Sequence, residues 1–182
     1  MIDPIVIDFE TEAIVGNPVV HPPKPVGVGV WVPEQEPNYL AWGHPTENNC
    51  SYAHAHEYLV KIRDSGRPIL CHNAGFDLSV QSEYFCNAQW NWINDGWRRV
   101  HDTMFLLFLS DPYSEYLGLK PSSERYLGGT HEEQDELTKW ILANIQEATR
   151  KTAGAFISRA PGNLVGEYCI RDLRDTHGLF HL

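Results

Sequence analysis

Ile5-Val6-Ile7-Asp8-Phe9 is a short β-branched run, the pattern of a strand buried inside a sheet. A turn-rich stretch through Gly16, Asn17 and Pro18 follows it, ending in His21-Pro22-Pro23-Lys24-Pro25. Val26 to Val32 then alternates valine with small residues, which suits a second strand packed closely against its neighbour. Tyr39-Leu40-Ala41-Trp42 predicts a third. Three strands joined by short loops, before any helix, point to an antiparallel meander opening the sheet.

The period then changes. Tyr52 to Asp64 reads as a helix, with Ala55, Tyr58, Leu59 and Ile62 on one stripe. Pro68-Ile69-Leu70-Cys71 is a short buried strand leading into His72-Asn73-Ala74-Gly75. Phe76 to Phe85 predicts a helix with Leu78, Val80 and Phe85 in the core. Met104 to Leu109 is a strongly apolar helix capped by Asp102 or Thr103. Tyr116 to Leu127 holds a short helix, and Glu132 to Thr149 a longer amphipathic one. Pro161 suits the first turn of a last helix running to about Phe180. Strands first, then helices interleaved with short strands, define an α/β domain with a mixed sheet.

Composition narrows the class. The 182 residues are 42% hydrophobic and 21% charged, enough apolar content for the core of one domain over residues 1–182 and too much for a disordered chain. No run of about 18 apolar residues occurs, so no membrane span is expected. Met1-Ile2-Asp3-Pro4 has no basic-then-apolar leader, and Cys50, Cys71, Cys86 and Cys169 are scattered without a Cys-x-x-Cys pair. These features point to a cytoplasmic protein with reduced thiols. The net charge is −10, and residues 1–60 carry eight acids against one base, Lys24. That balance argues against a protein that coats nucleic acid. It leaves room for an enzyme whose acidic centre holds divalent metal, since the ions then supply the positive charge that meets phosphate.

Three groups of carboxylates carry the chemistry. Asp8 and Glu10 form Asp-x-Glu at the end of the first strand, where period 2 puts both on one face. Two carboxylates that close repel unless a cation lies between them. Asp77 falls in the first turn of a helix, where a lone acid would merely complement the helix dipole. Tyr168 and Asp172 are four apart on a helical face that continues through Val165, Cys169, Thr176 and Leu179. A phenol and a carboxylate on an inward face need partners: each other, or a water held by metal.

Together these elements resemble the three motifs of the DEDD superfamily of 3′–5′ exonucleases in its tyrosine-bearing branch, and most of all the proofreading domains of bacterial and phage family A DNA polymerases. Asp8-Phe9-Glu10-Thr11 resembles motif I, Asn73-Ala74-Gly75-Phe76-Asp77 motif II, and Tyr168-Cys169-Ile170-Arg171-Asp172 motif III. His101-Asp102-Thr103-Met104, and the stretch from Gly118-Leu119-Lys120 to Tyr126-Leu127-Gly128, are similar to the segments between those motifs. The resemblance implies a ribonuclease-H-like fold, a mixed five-stranded sheet flanked by helices. It implies that Asp8, Glu10 and Asp172 hold a first Mg²⁺ or Mn²⁺ ion and that Asp8 bridges to a second held by Asp77 directly or through water. Tyr168 would orient the attacking water. Two such ions roughly 3.5–4 Å apart can activate water and stabilise the leaving 3′ oxygen, giving a nucleoside 5′-monophosphate. Hard oxygen ligands suit these ions.

The resemblance also places substrate contacts at Thr11, Ile14, Asn73 and Phe76, with Ile14 as an apolar wedge against the terminal base. Turn-capping would account equally for Thr11 and Asn73, and a core contact for Ile14. Asp102 is read as a helix cap. His54 and His56, two apart on a helix, face different ways and make a poor metal pair. The expected substrate is the 3′ end of single-stranded or frayed DNA, with a DNA polymerase domain or subunit as partner, in a bacterial or phage-infected cell. An RNA-trimming relative and an inactive nucleic-acid-binding module are the alternatives. The tryptophans at 90, 92 and 97, with Trp31, could form core or a stacking surface.

Overall fold

The computed structural model describes residues 3–85, 99–128 and 132–182. Cys86 and the tryptophans at 90, 92 and 97 therefore lie outside the described residues. The chain opens with β1 (Ile5–Thr11), β2 (Pro25–Trp31) and β3 (Asn38–Ala41), then α1 (Tyr52–Asp64), β4 (Ile69–Cys71) and α2 (Ala74–Tyr84). After these come β5 (Val100–Asp102), α3 (Thr103–Ser110), α4 (Leu119–Leu127) and α5 (Glu132–Asn144). A 3₁₀ helix (Ala153–Arg159) and α6 (Gly162–Phe180) complete it. The five strands form one sheet in the order β3-β2-β1-β4-β5. The first three pair antiparallel, as the meander predicts, whereas β1–β4 and β4–β5 are parallel. This is the mixed five-stranded α/β sheet flanked by helices.

Alternation along β1 sorts its residues onto two faces. Ile5, Ile7 and Phe9 join Val28, Val30 and Leu40 beneath α1 and α2, whose Ala55, Leu59, Ile62, Leu78 and Val80 fill that side. Ser51 caps α1, its side chain accepting from the His54 N–H at 3.2 Å. The opposite face carries Val6 and Leu70, which pack on Leu173 of α6. Gly29 in β2 lets this helix approach: a Cβ there would stand 2.5 Å from the Cys169 sulfur. The valine–glycine alternation thus clears one face of β2, for α6 at Gly29 and for the Tyr39 ring at Gly27.

Two expectations need correction. The helix read to Thr149 ends at Asn144. There the Asn144 amide donates to the Trp140 carbonyl, and the chain turns to bury Ile145. Pro161 is the cap of α6 rather than a residue of its first turn. The apolar helix expected over 104–109 is present as α3, and it keeps little of its apolar surface inside. Thr103 and Leu107 are buried, while Phe105, Leu106, Phe108 and Leu109 are exposed.

Candidate active site

Asp8 and Glu10 emerge from the α6 face of the central strand, opposite Gly29 and Gly27 of β2. With no side chain at Gly29, α6 lies over the pair and sets Cys169 against them, while the space at Gly27 is taken by the Tyr39 ring of β3. One carboxylate oxygen from each acid and the Cys169 sulfur all lie within 4.8 Å of one another. The thiol donates weakly to Asp8 Oδ2 at 3.6 Å. Burial and the adjoining carboxylates push the Cys169 thiol well up, so it stays protonated and acts as a donor, not as a thiolate ligand.

The inward face expected of α6 is present. Val165, Cys169, Asp172, Thr176 and Leu179 are all buried, with Tyr168 half-buried one turn before Asp172. Asp77 reaches in from α2. Its Oδ1 accepts the Phe9 N–H of β1 at 2.9 Å, in a buried bond between residues 68 apart in the chain. This acid is therefore more than a dipole complement to α2. The structure brings Asp8, Glu10, Asp77, Tyr168 and Asp172 to one place.

One cation sits among them that sequence reasoning did not single out. Lys120, near the start of α4, forms an ion pair with Asp172, and its Nζ lies 4.6 Å from the centroid of the Tyr168 ring. Its charge also acts on Asp8 and Glu10. The pairing spans 52 positions in sequence, so no local spacing announces it; the scarcity of lysines in an acidic chain was the available hint. One ammonium does not neutralise the cluster. Burial drives the Asp8 carboxyl up to about 6 despite Lys120 and Cys169. Burial, then Asp8, pushes Glu10 and Asp77 well above the usual carboxylate range. Burial also raises the Tyr168 phenol, followed by Glu10 and Asp8, so it remains a neutral O–H donor.

Beside Glu10 opens a cleft of about 280 Å³, bounded by Phe9, Thr11, Ile14, Phe76 and Ile157. Three of the four expected contact residues thus line one groove. Ile14 is 54% exposed at its mouth, which excludes the core-contact reading. The fourth, Asn73, is exposed at the start of α2 in left-handed conformation (φ 65°, ψ 53°), which asparagine tolerates better than most residues. Its side chain makes no capping bond. Capping falls instead to Asp102, whose carboxylate accepts from Asn73, Ala74 and Met104 N–H groups, each at 2.9 Å. It joins the starts of α2 and α3, which extends the cap expected of it.

Clustered, buried carboxylates with raised proton affinity are the donor set of a hard divalent cation, and Asp8 and Glu10, whose oxygens lie within 4.8 Å of each other, have that chemistry. No family model matches the chain, and no curated protein matches it. Solved structures do. One, the apo form of a nuclease, shares the fold with a TM-score of 0.59 at 18% identity, covering 98% of this chain and 70% of that one. Brucella melitensis NrnC with bound Mg²⁺ aligns with a TM-score of 0.57 at 19% identity, over 99% of this chain and 71% of its own. The fold is therefore one that a nuclease uses.

Proposed function

We propose that this chain is a metal-dependent 3′–5′ exonuclease that removes nucleoside 5′-monophosphates from single-stranded or frayed DNA 3′ ends, in a proofreading role beside a DNA polymerase domain or subunit. The observation that carries the reading is the convergence of Asp8, Glu10, Asp77, Tyr168 and Asp172, from three distant segments, on one buried acidic site. A fold shared with a nuclease and with Mg²⁺-bound NrnC supports it. Asp8, Glu10 and Asp172 would hold one Mg²⁺ or Mn²⁺ ion, and Asp77 with Asp8 a second. Bound there, the two ions would supply an activated water and stabilise the departing 3′ oxygen.

This chain's own residues do the rest. The neutral Tyr168 hydroxyl directs the water towards the scissile phosphate. Phe76 and Ile14 close on the terminal nucleoside, and Thr11 offers a hydroxyl at the rim of the cleft. The cleft admits a nucleotide or two, so a duplex must fray before its end can enter. Digestion of DNA and RNA oligonucleotides labelled at either end, with Mg²⁺, Mn²⁺ or EDTA, tests the reading. Stepwise shortening of DNA from the 3′ side, abolished by EDTA, is expected. Faster loss of RNA would assign the RNA-trimming alternative, and binding without cleavage in either metal would assign the inactive module.

A further inference from the structure

A second cluster of metal-ligating side chains lies where β1 begins and α6 ends. His177 and His181 are four residues apart, so the helix puts both imidazoles on one face. Their Nε2 atoms are 3.2 Å apart. Two donors bound tetrahedrally to zinc at about 2.0–2.1 Å stand about 3.3 Å from each other. The Asp3 carboxylate closes the triangle, with one oxygen 3.9 Å from His177 Nε2 and the other 3.7 Å from His181 Nε2.

The triangle is held from behind. The His177 ring packs on Trp31 at 4.6 Å between centroids, and the Trp31 indole N–H donates to the Gln35 carbonyl. The Asp3 carbonyl accepts from Arg67 at 2.6 Å, and Arg67 is in turn paired with Glu34 at 2.7 Å. None of these contacts involves the acidic cluster around Asp8. Helix spacing, convergence of both imidazoles and support of each element combine in one place.

We propose that Asp3, His177 and His181 form a separate site for a divalent transition-metal ion, zinc above all. Two imidazoles and one carboxylate, with a fourth position open to water, are a borderline donor set that favours zinc over Mg²⁺ or Ca²⁺. The ion would tie the start of β1 to the end of α6. Those are the two elements that carry Asp8, Glu10, Tyr168 and Asp172 further along, so the clasp would brace the strand–helix pair on which the proposed active site is built.

The test is a zinc titration of the full chain in excess Mg²⁺, followed through the ring nitrogens of ¹⁵N-labelled histidines. One equivalent of zinc should move the Nε2 signals of His177 and His181 together, saturating at micromolar zinc or below. The melting temperature should rise by about 3–5 °C for each tenfold excess of free zinc over Kd. His181→Gln and Asp3→Asn, both at partly exposed positions, should each weaken the site at least tenfold and reduce that thermal shift. Ring signals of His177 and His181 that stay still at one equivalent, or that respond only at millimolar zinc, overturn the proposal. So does an undiminished response in folded His181→Gln protein. These ring signals report on the clasp whatever becomes of the nuclease reading.

Discussion

The two faces of β1 turn their side chains inward for opposite ends. Towards α1 and α2, Ile5, Ile7 and Phe9 enter an apolar layer, and their removal from water stabilises the fold. Towards α6, the intervening Asp8 and Glu10 meet Cys169, Tyr168 and Lys120, and burial there costs stability because carboxylates lose water and repel. One strand therefore holds the fold together on one side and stores an electrostatic deficit on the other. A divalent cation relieves such a deficit. Mutations on the two faces should consequently separate activity from stability.

The largest effect is expected from Asp8→Ala. It removes the acid shared by both proposed metal positions, so the rate should fall by at least about 10³-fold, in line with the loss of metal-based charge stabilisation. In EDTA the same protein should melt higher than wild type, because a buried like-charge contact has gone. Tyr168→Phe keeps the ring beside Lys120 and deletes only the hydroxyl. It should cost roughly 10–1000-fold in turnover, with Mg²⁺ affinity unchanged by calorimetry, as loss of positioning would produce. Near-normal hydrolysis by folded Asp8→Ala would remove the basis for the comparison.

The apolar face should behave the other way. Leu59 of α1 is fully buried among the side chains beneath the sheet. Leu59→Ala should cost about 2–5 kcal/mol in urea unfolding, equally in Mg²⁺ and in EDTA, with turnover preserved in the folded fraction. A penalty that depended on metal would mean that the two faces are not independent.

Why one face was easier to read than the other follows from the same contrast. Apolar periodicity is local, so Tyr52–Asp64 and the strand beginning at Ile5 were legible from pattern alone, as was the inward face of α6. Strand β5, only Val100–Asp102, is too short to show a period, and the 3₁₀ helix over Ala153–Arg159 has no repeat to detect. The acids of the site were visible as three motifs. Lys120, the second and third N–H groups held by Asp102, and the Phe9–Asp77 bond were not, because each joins residues far apart in sequence. Long-range polar pairing leaves little trace in composition.

A smaller effect is expected from pH. The Asp8 carboxyl binds its proton more tightly in the folded chain, at about 6, than at its ordinary 3.8. The native state therefore holds more protons between those values. The stability this group contributes is full below the lower value and lost as pH rises through the upper one. Glu10 and Asp77 shift in the same direction. Burial lowers several histidines, including His72 and His101, and these act with the opposite slope, so the cleaner quantity is a difference between proteins. In EDTA, wild type should lose about 1–3 kcal/mol relative to Asp8→Asn between pH 4 and pH 7, allowing for the solvent that part-exposed Asp8 retains. Saturating Mg²⁺ should shrink that gap. A gap that is flat with pH would mean that Asp8 carries no electrostatic deficit.

The smallest expected effect lies at the edge of the acidic face, where Ile14 stands over the cleft. It is 54% exposed and shares the groove with Phe76 and Ile157, so shortening it opens no cavity in either hydrophobic layer. Ile14→Ala should leave the melting temperature within about 1 °C of wild type, as surface substitutions usually do. Its consequence should be confined to substrates that have to be pulled apart. Freeing a paired 3′ base costs a few kcal/mol, and less at a mismatch. An apolar side chain against the freed base returns part of that cost through buried area. Single strands need no such help. The variant should therefore digest single-stranded DNA at nearly the wild-type rate, mismatched ends about twofold more slowly, and paired ends about three- to tenfold more slowly. Equal slowing on all three would make Ile14 a general contact for the terminal nucleotide instead of a wedge, and the groove would then bind the strand without helping to open it.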